Sequence, residues 1–374
     1  MNKSFKIALA CSGIGRVSRG YEASVLDVYE SIRGSSHEVR LYRGGRDEKR
    51  GHYCPTVSRF SRLYLFPPFS WVGIYRRYWL ENFVFFLFLY IRLMSKPVDV
   101  IFTPDHVVAE LLQRYQNQIN GKPAVVFSNG APFDNTFCKR FRFVHQKSKQ
   151  HFRPEEAPDT EMFLIPNSFE TLAYTMASGF DRIGTRDRYN IPADKIIILC
   201  LSALNNEHKR IEWIMREVAQ LDKRFHLVLC GQECLGTASL KTRARHIGLN
   251  CTFMTVPLRE VPFLLWSSDI MALGSLSEGF PRVIAEAMAS KTPILVHPHE
   301  NARWILGEHS RSFVDMTMYG ELSKRINQWA LNRELWHDTI ETNHRKFVLE
   351  YSREAVVSKY LCMFERVCKV RPRL

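Results

Sequence analysis

The sequence lacks several features that a chain of 374 residues could carry. Its nine cysteines include no Cys-x-x-Cys pair, which argues against zinc modules and a disulfide framework; Cys230 and Cys234, the closest two, read as packing residues. No apolar run reaches the ~18 residues that a membrane-spanning helix needs. No signal peptide precedes Phe5, so the chain reads as reduced and cytosolic. Low-complexity segments and short-period repeats are missing, and no Asp-x-Asp pair occurs. Acidic residues are outnumbered, 38 against 52 lysines and arginines, for a net charge of +14. That imbalance favours anionic partners: nucleotides, acidic lipid surfaces or nucleic acid.

What is present is the composition of a soluble globular protein, 45% hydrophobic and 24% charged, with a length that predicts two domains. Phe5 to Cys11 is an apolar run ending in Ser12-Gly13-Ile14-Gly15-Arg16, and Tyr21 to Ile32 follows with helical spacing. Strand, glycine turn and helix open a Rossmann-like unit. Gly13 and Gly15 let backbone approach a phosphate or sugar closely, and Arg16 belongs to the same candidate site. A dinucleotide fingerprint would want its third glycine at Ser18 and an acid after the next strand. That strand, Glu38 to Tyr42, ends in Arg43-Gly44-Gly45, with Lys49 beyond, so a dehydrogenase is disfavoured.

Phe60 to Leu93 interleaves aromatics with arginines. It reads either as a buried helix of the first domain or as a surface that dips into an anionic membrane interface. Strands at Val98–Phe102, Ala124–Phe127, Phe141–Val144 and Phe163–Ile165 then place His106, Asn129 and His145 at successive strand ends, where open α/β sheets bind ligands. Each is a candidate for a direct role, against the plainer reading of a structural polar residue.

The second half begins near Ile191-Pro192. Ile196–Leu201 is a strand, and Ser202 to Arg210 opens a helix running through Leu221 with Lys209 at its entrance. His226–Cys230 is a strand ending at Gly231. Cys251–Met254 is another, followed by Thr255-Val256-Pro257, and Ile270–Leu273 leads into SEGFPRVIAEAMA, Ser277 to Ala289. Pro281 suits a first helical position, and the helix Arg282–Ala289 sets Val283, Ala287 and Met288 on its apolar side. Unpaired amides of Phe280, Arg282 and Val283 plus the helix dipole would make an anion site suited to a diphosphate. Glu286, one turn in, could accept two hydroxyl hydrogen bonds from a ribose. The plain alternative is a capped amphipathic helix with two surface acids.

Glu278 and Glu286 within L-S-E-G-F-P-R-V-x-x-E-A-M-A-S-x-x-P, with the strands on either side, resemble the retaining nucleotide-sugar glycosyltransferases of family 4. The resemblance covers most of the second half strongly and the first half loosely. It implies an α/β fold of two Rossmann-like domains facing across a cleft, the B-type fold. Residues 1–168 would form an acceptor domain, completed by a C-terminal helix in 353–374 that crosses back, and 185–350 the donor domain. It further implies that Glu286 holds the donor ribose, and that Glu278, Gly279 and the neighbouring amides hold sugar and phosphates. Lys209 matches the family's diphosphate cation, and backbone near Gly231 and Val256 would hold the base. Two departures stand out. Ala203 replaces a common arginine, which Arg210 or His208 would have to compensate. Lys291 stands where glycine is usual, at a cost of about 1 kcal/mol if that position is left-handed.

The implied activity is transfer of a sugar from a UDP- or GDP-sugar to a saccharide or lipid-linked acceptor, with retention at the anomeric carbon and a role in cell-surface glycan or glycolipid synthesis. With no Asp-x-Asp pair, no cofactor and no essential metal are expected. The alternatives are a B-fold epimerase or phosphorylase, a nucleic-acid binder and an inactive membrane-bound scaffold. No nucleic-acid recognition module occurs, so no nucleic-acid partner is expected. A cytoplasmic protein, peripheral on the inner membrane face, fits the basic aromatic stretch.

Overall fold

A computed structural model describes residues 4–16, 20–46, 49–59, 61–67, 69–130, 133–234 and 236–370. Ser18, Asp47 and Phe60 and the last four residues of the expected C-terminal helix segment lie outside the described residues. The chain divides into two compact units, 1–168 with 353–374, and 169–352.

In the first unit seven parallel strands form one sheet: β1 (Lys6–Cys11), β2 (Glu38–Arg43), β3 (His52–Tyr53), β4 (Val100–Thr103), β5 (Ala124–Asn129), β6 (Phe143–Gln146) and β7 (Glu161–Leu164). Their order is β3-β2-β1-β4-β5-β6-β7. Helices cover both faces, which is why β1 is an unbroken apolar run rather than an alternating one. Ile7, Leu9 and Cys11 meet α1 (Gly20–Ile32) and the C-terminal helix Arg353–Val370. Ala8 and Ala10 face the side covered by α2 (Ile74–Ser95) and α3 (His106–Arg114).

The long helix α2 is covered on one side only. One face is core: Asn82, Phe85, Phe86, Leu89 and Leu93 are buried. The opposite face is bare and apolar, with Trp79, Leu87, Phe88 and Ile91 exposed.

The second unit has five parallel strands, β8 (Ile196–Leu201), β9 (Phe225–Cys230), β10 (Cys251–Met254), β11 (Ile270–Leu273) and β12 (Ile294–Val296), in the order β10-β9-β8-β11-β12. Three of its helices concern the site: α4 (Ile211–Val218), α5 (Arg282–Ala289) and α6 (Glu300–Leu306). In each sheet the strand order reverses once, at β1/β4 and at β8/β11, and the carboxyl ends beside such a reversal are where open sheets bind ligands.

Two expectations need correction. The helix after β8 begins at Ile211, not Ser202. Asn205 Oδ1 accepts from the amides of His208 and Lys209 and Asn206 Oδ1 from that of Glu212, bonds that hold 202–210 as a loop. Cys234 is exposed rather than packed. In α5, Ala287 and Met288 are buried with Val283 packed half-buried against the same core, as expected, and burial extends to every residue from Ile284 to Ala289.

Candidate functional site

The second unit brings two loops together at the carboxyl ends of β8 and β11. Gly274, directly after β11, permits this approach: a Cβ there would lie 3.1 Å from the Lys209 carbonyl oxygen and 3.0 Å from Ile214. Across the contact the Lys209 ammonium donates to Glu278 Oε1. His208 Nε2 sits 3.0 Å from the Ser277 carbonyl oxygen, and its Nδ1 is 4.0 Å from the same Glu278 oxygen. Asn301, on α6, donates from Nδ2 to the Glu278 carbonyl at 2.7 Å. Glu278 is thus fixed through both side chain and backbone.

Arg210 takes no part in this cluster. It adopts a left-handed backbone with φ of 51° and donates to the carbonyls of Met316 at 2.7 Å and Gly274 at 3.3 Å, with its guanidinium over Trp213. Of the two residues that could replace a missing cation at Ala203, only His208 reaches Glu278.

The turn before α5 is held by Phe280, whose ring packs among Phe169, Trp304 and Tyr351 at 6.0–6.3 Å between centroids. Pro281 occupies the capping position, one residue earlier than expected, and its carbonyl accepts from the Ile284 amide at 3.0 Å. The amides of Gly279 and Phe280 in the turn, and of Val283 in the first helical turn, donate to no acceptor among the described residues; for Val283 this follows from its place at a helix start. Arg282 lies over the Phe169 ring at 4.6 Å, with Nε 3.6 Å from Glu286 Oε1. Glu286 is 6% exposed, so its carboxylate is nearly desolvated beside one cation. Lys291, just past the helix, does take a left-handed φ of 56° and pairs with Glu341.

Gly231 ends β9 in close backbone contact: a Cβ would fall 1.7 Å from the Ser202 carbonyl oxygen. Its carbonyl accepts from Thr255 Oγ1 at 2.7 Å, and Val256 beside it is half-buried. His299 was not singled out in the sequence. Its Nδ1 accepts from the Ala302 amide at 3.2 Å to cap α6, and its buried Nε2 has no partner among the described residues. Burial lowers its pKa to about 4, against the opposing pull of Glu278. Such capping and carbonyl-holding roles are created by folding and leave no local sequence pattern.

The polar candidates of the first unit separate. Gly13 and Gly15 (φ 77°) form a turn closed by the Arg16 amide on the Gly13 carbonyl at 3.1 Å. Their backbone packs on the protein itself: a Cβ at Gly45 would lie 2.0 Å from the Gly15 carbonyl, and one at Gly13 2.4 Å from the Glu22 carboxylate. Arg16 Nη2 donates to the Thr56 carbonyl at 2.8 Å. His145 is fully buried between Ser128 Oγ at 3.0 Å and the Ile165 carbonyl at 2.8 Å, and burial lowers its pKa to about 3. With both ring nitrogens engaged in the core, it cannot meet a substrate. Asn129 is also buried and donates to the Phe133 carbonyl at 2.9 Å. His106, like Arg16, is half-buried. It stacks on Tyr78 at 5.2 Å and meets the edges of Phe133 and Phe137. Next to it Asp105, which the sequence reading passed over, accepts from the Ser12 amide at 2.7 Å, and burial raises its pKa to about 6.

Residues 181–346 match the family described as glycosyl transferases group 1, a span that takes in most of the second unit. No curated protein sequence matches the chain. Among solved structures, HepE of Anabaena in complex with UDP and glucose is similar at 16% identity, with a TM-score of 0.74, covering 97% of this chain and 100% of that one. Sucrose-phosphate synthase of Thermosynechococcus elongatus is similar at 14% identity, TM-score 0.78, covering 97% and 99%. WaaG, a glycosyltransferase involved in lipopolysaccharide biosynthesis, is similar at 13% identity, TM-score 0.63, covering 96% and 98%. These likenesses establish the fold, two Rossmann-like units of the B type.

Proposed function

We propose that this chain, a glycosyltransferase with the B-type fold, is a retaining enzyme of the family 4 kind that moves a sugar from an NDP-α-sugar to an acceptor hydroxyl. The observation that carries the reading is the Lys209–Glu278 pair set beside the amide-bearing start of α5. Transfer leaves charge on a departing diphosphate and an oxocarbenium-like centre on the sugar, so preorganised cations and amides lower the barrier. Lys209 and the amides of Gly279, Phe280 and Val283 take the diphosphate. Glu286 accepts from the ribose hydroxyls, and Glu278 faces the donor sugar. Gly231 and Val256 flank the base. The diphosphate competes with Glu278 for Lys209, and His208 is the other side chain at hand.

HepE is bound to UDP in its structure, which supports a UDP-sugar ahead of a GDP-sugar. WaaG's part in lipopolysaccharide synthesis supports a cell-surface glycan or glycolipid as the product class. On the acceptor side His106 is the remaining candidate of the first unit. No metal is assigned a role, because Lys209 and the helix start supply the positive charge. Thermal shift against UDP, GDP, ADP and their sugars, followed by NDP release with and without EDTA, tests the reading. Stabilisation by one nucleotide series and turnover insensitive to EDTA are expected; absence of any nucleotide-dependent shift rejects it.

A second observation extends the proposal to peripheral attachment at an anionic membrane face. Among the described residues no helix is long and apolar enough to cross a membrane, yet α2 exposes Trp79, Leu87, Phe88 and Ile91 along one side. Phe66, Trp71 and Tyr75 are exposed ahead of or at its start, close to exposed Arg76. An in-plane helix with an apolar face and flanking cations has this form. Arg77 is a poorer probe than Arg76, since it donates to the Val72 carbonyl at 2.6 Å and lies over Tyr64. Salt-sensitive co-sedimentation with anionic vesicles, weakened by Arg76→Glu, is expected; no binding at low salt rejects the attachment.

A further inference from the structure

Two side chains of one loop address a single carboxylate oxygen. Asn205 Oδ1 accepts from the amides of His208 and Lys209 at 3.3 and 3.2 Å, so the loop after β8 presents the pair side by side. The Lys209 ammonium donates to Glu278 Oε1, and His208 Nδ1 stands 4.0 Å from the same atom. The other edge of the imidazole is committed. Its Nε2 lies 3.0 Å from the Ser277 carbonyl oxygen, which can only accept, so Nε2 carries a hydrogen. In the neutral ring Nδ1 is therefore a bare lone pair turned towards a carboxylate. A proton on Nδ1 converts that opposition into an ion pair.

As the site stands, Lys209 neutralises Glu278. Under the donor-site reading above, an incoming diphosphate draws Lys209 away. Glu278 is poorly placed to turn out to water: its side chain is 10% exposed and Asn301 holds its carbonyl at 2.7 Å. A shielded carboxylate that loses its partner is costly. Among the described residues of the second unit, the groups facing His208 are Glu278, Lys209 and, from the loop between β12 and α6, His299, which feels all three. His299 does not take over from Lys209: its Nδ1 accepts from the Ala302 amide, and burial lowers its pKa to about 4. His297 behind it is turned to the Met316 amide and Asp315. Arg210 is engaged by the carbonyls of Met316 and Gly274. His208, with 54% of its side chain exposed, has both the position and the access to solvent that proton uptake requires.

We infer that His208 is a positioning residue that replaces Lys209 on Glu278: as the donor diphosphate captures Lys209, His208 takes a proton from solvent at Nδ1 and pairs with Glu278 Oε1. Glu278 thereby stays ionised and in place, an acceptor for a hydroxyl of the donor sugar, while the lysine charge passes to the leaving group. The proton returns to solvent when the diphosphate departs and Lys209 pairs with Glu278 again. Donor binding is thus coupled to uptake of one proton, and affinity rises as pH falls through the histidine range. The inference rests on the donor-site reading and adds to it the group that keeps Glu278 charged.

The test uses the full chain with UDP-glucose, GDP-glucose and ADP-glucose, probes whose doubly esterified diphosphates hold no group that titrates in the histidine window of about pH 6 to 8. Calorimetry in buffers of differing ionisation enthalpy is expected to show net proton uptake with the probe that binds, and affinity to fall roughly fivefold or more across that window as pH rises. His208→Gln carries a donor but cannot titrate, so it should bind without uptake and without the pH dependence. In the ligand-free protein the His208 imidazole is followed by NMR, and Lys209→Met should raise its midpoint by about one pH unit or more, because Lys209 no longer neutralises Glu278. Binding with no uptake, uptake that persists in His208→Gln, or a midpoint unmoved by Lys209→Met overturns the exchange and leaves the transferase reading standing. If none of the three probes binds, the donor-site reading falls and the exchange falls with it.

Discussion

Lys209 Nζ donates to Glu278 Oε1, joining the loop after β8 to the loop after β11 across a sequence separation of 69 residues. The pair is mostly shielded, with 19% and 10% of the side chains exposed. The proposed diphosphate cation and donor-sugar acid are therefore one electrostatic unit, and removing either changes the other.

Lys209→Ala is expected to lower kcat/KM by ~10²-fold or more, because leaving-group charge grows in the transition state. Glu278→Gln frees Lys209, so the double variant should fall short of the product of the two single losses. Full multiplicativity would show that the two side chains act independently. Lys209→Arg is not a rescue by charge alone, since the guanidinium fork fits the space differently.

Glu286→Ala should weaken nucleotide binding by about 1.5–3 kcal/mol, the usual worth of charge-assisted hydrogen bonds. Calorimetric titration with the preferred NDP reads this directly. Binding as tight as wild type would remove Glu286 from the ribose.

Gly231→Ala is expected to destabilise the second unit by about 1–3 kcal/mol, the range of overpacking, since the new Cβ would meet the Ser202 carbonyl oxygen at 1.7 Å. Chemical denaturation of the variant gives the number. An unchanged midpoint would mean that the Ser202 loop yields without cost.

His145 predicts an acid sensitivity of the first unit. Its folded pKa of about 3 lies below the ordinary histidine value of ~6.5. The neutral ring is therefore the form that stabilises the fold. That contribution is complete above about pH 6.5 and is lost as pH falls towards 3, up to ~5 kcal/mol by linkage. His145→Gln cannot protonate, so its stability should fall less steeply over that window than wild type. Parallel pH–stability curves would contradict the assignment.

Much of the second unit was legible because its signals are local. The bounds of β8, β10, β11 and α5 follow from short apolar runs and from the Gly-Phe-Pro turn. The left-handed backbone at Lys291 was anticipated from a missing glycine. What sequence could not reveal depends on contacts made at a distance. Asn205 and Asn206 delay the start of α4 by bonding to loop amides, although the residues between have helical spacing. Asn301 and His299 enter the site from α6. In the first unit, a polar residue at a strand end proved a weak guide: His145, in β6, turns into the core, whereas His106, at the start of α3, stays at its margin. The two faces of α2 escaped a single label because its apolar residues run almost all round, and only packing decides which are covered.

The division of the chain has a consequence for synthesis. The first unit is interrupted: Val356, Tyr360 and Phe364 complete the core that Ile7 and Leu9 begin, yet they leave the ribosome after the whole second unit. The second unit, continuous from 169 to 352, can close while the amino-terminal sheet still waits with one face uncovered. A nascent chain halted at Ser352 should therefore resist protease in its later half and remain susceptible in its earlier half, until the final helix emerges.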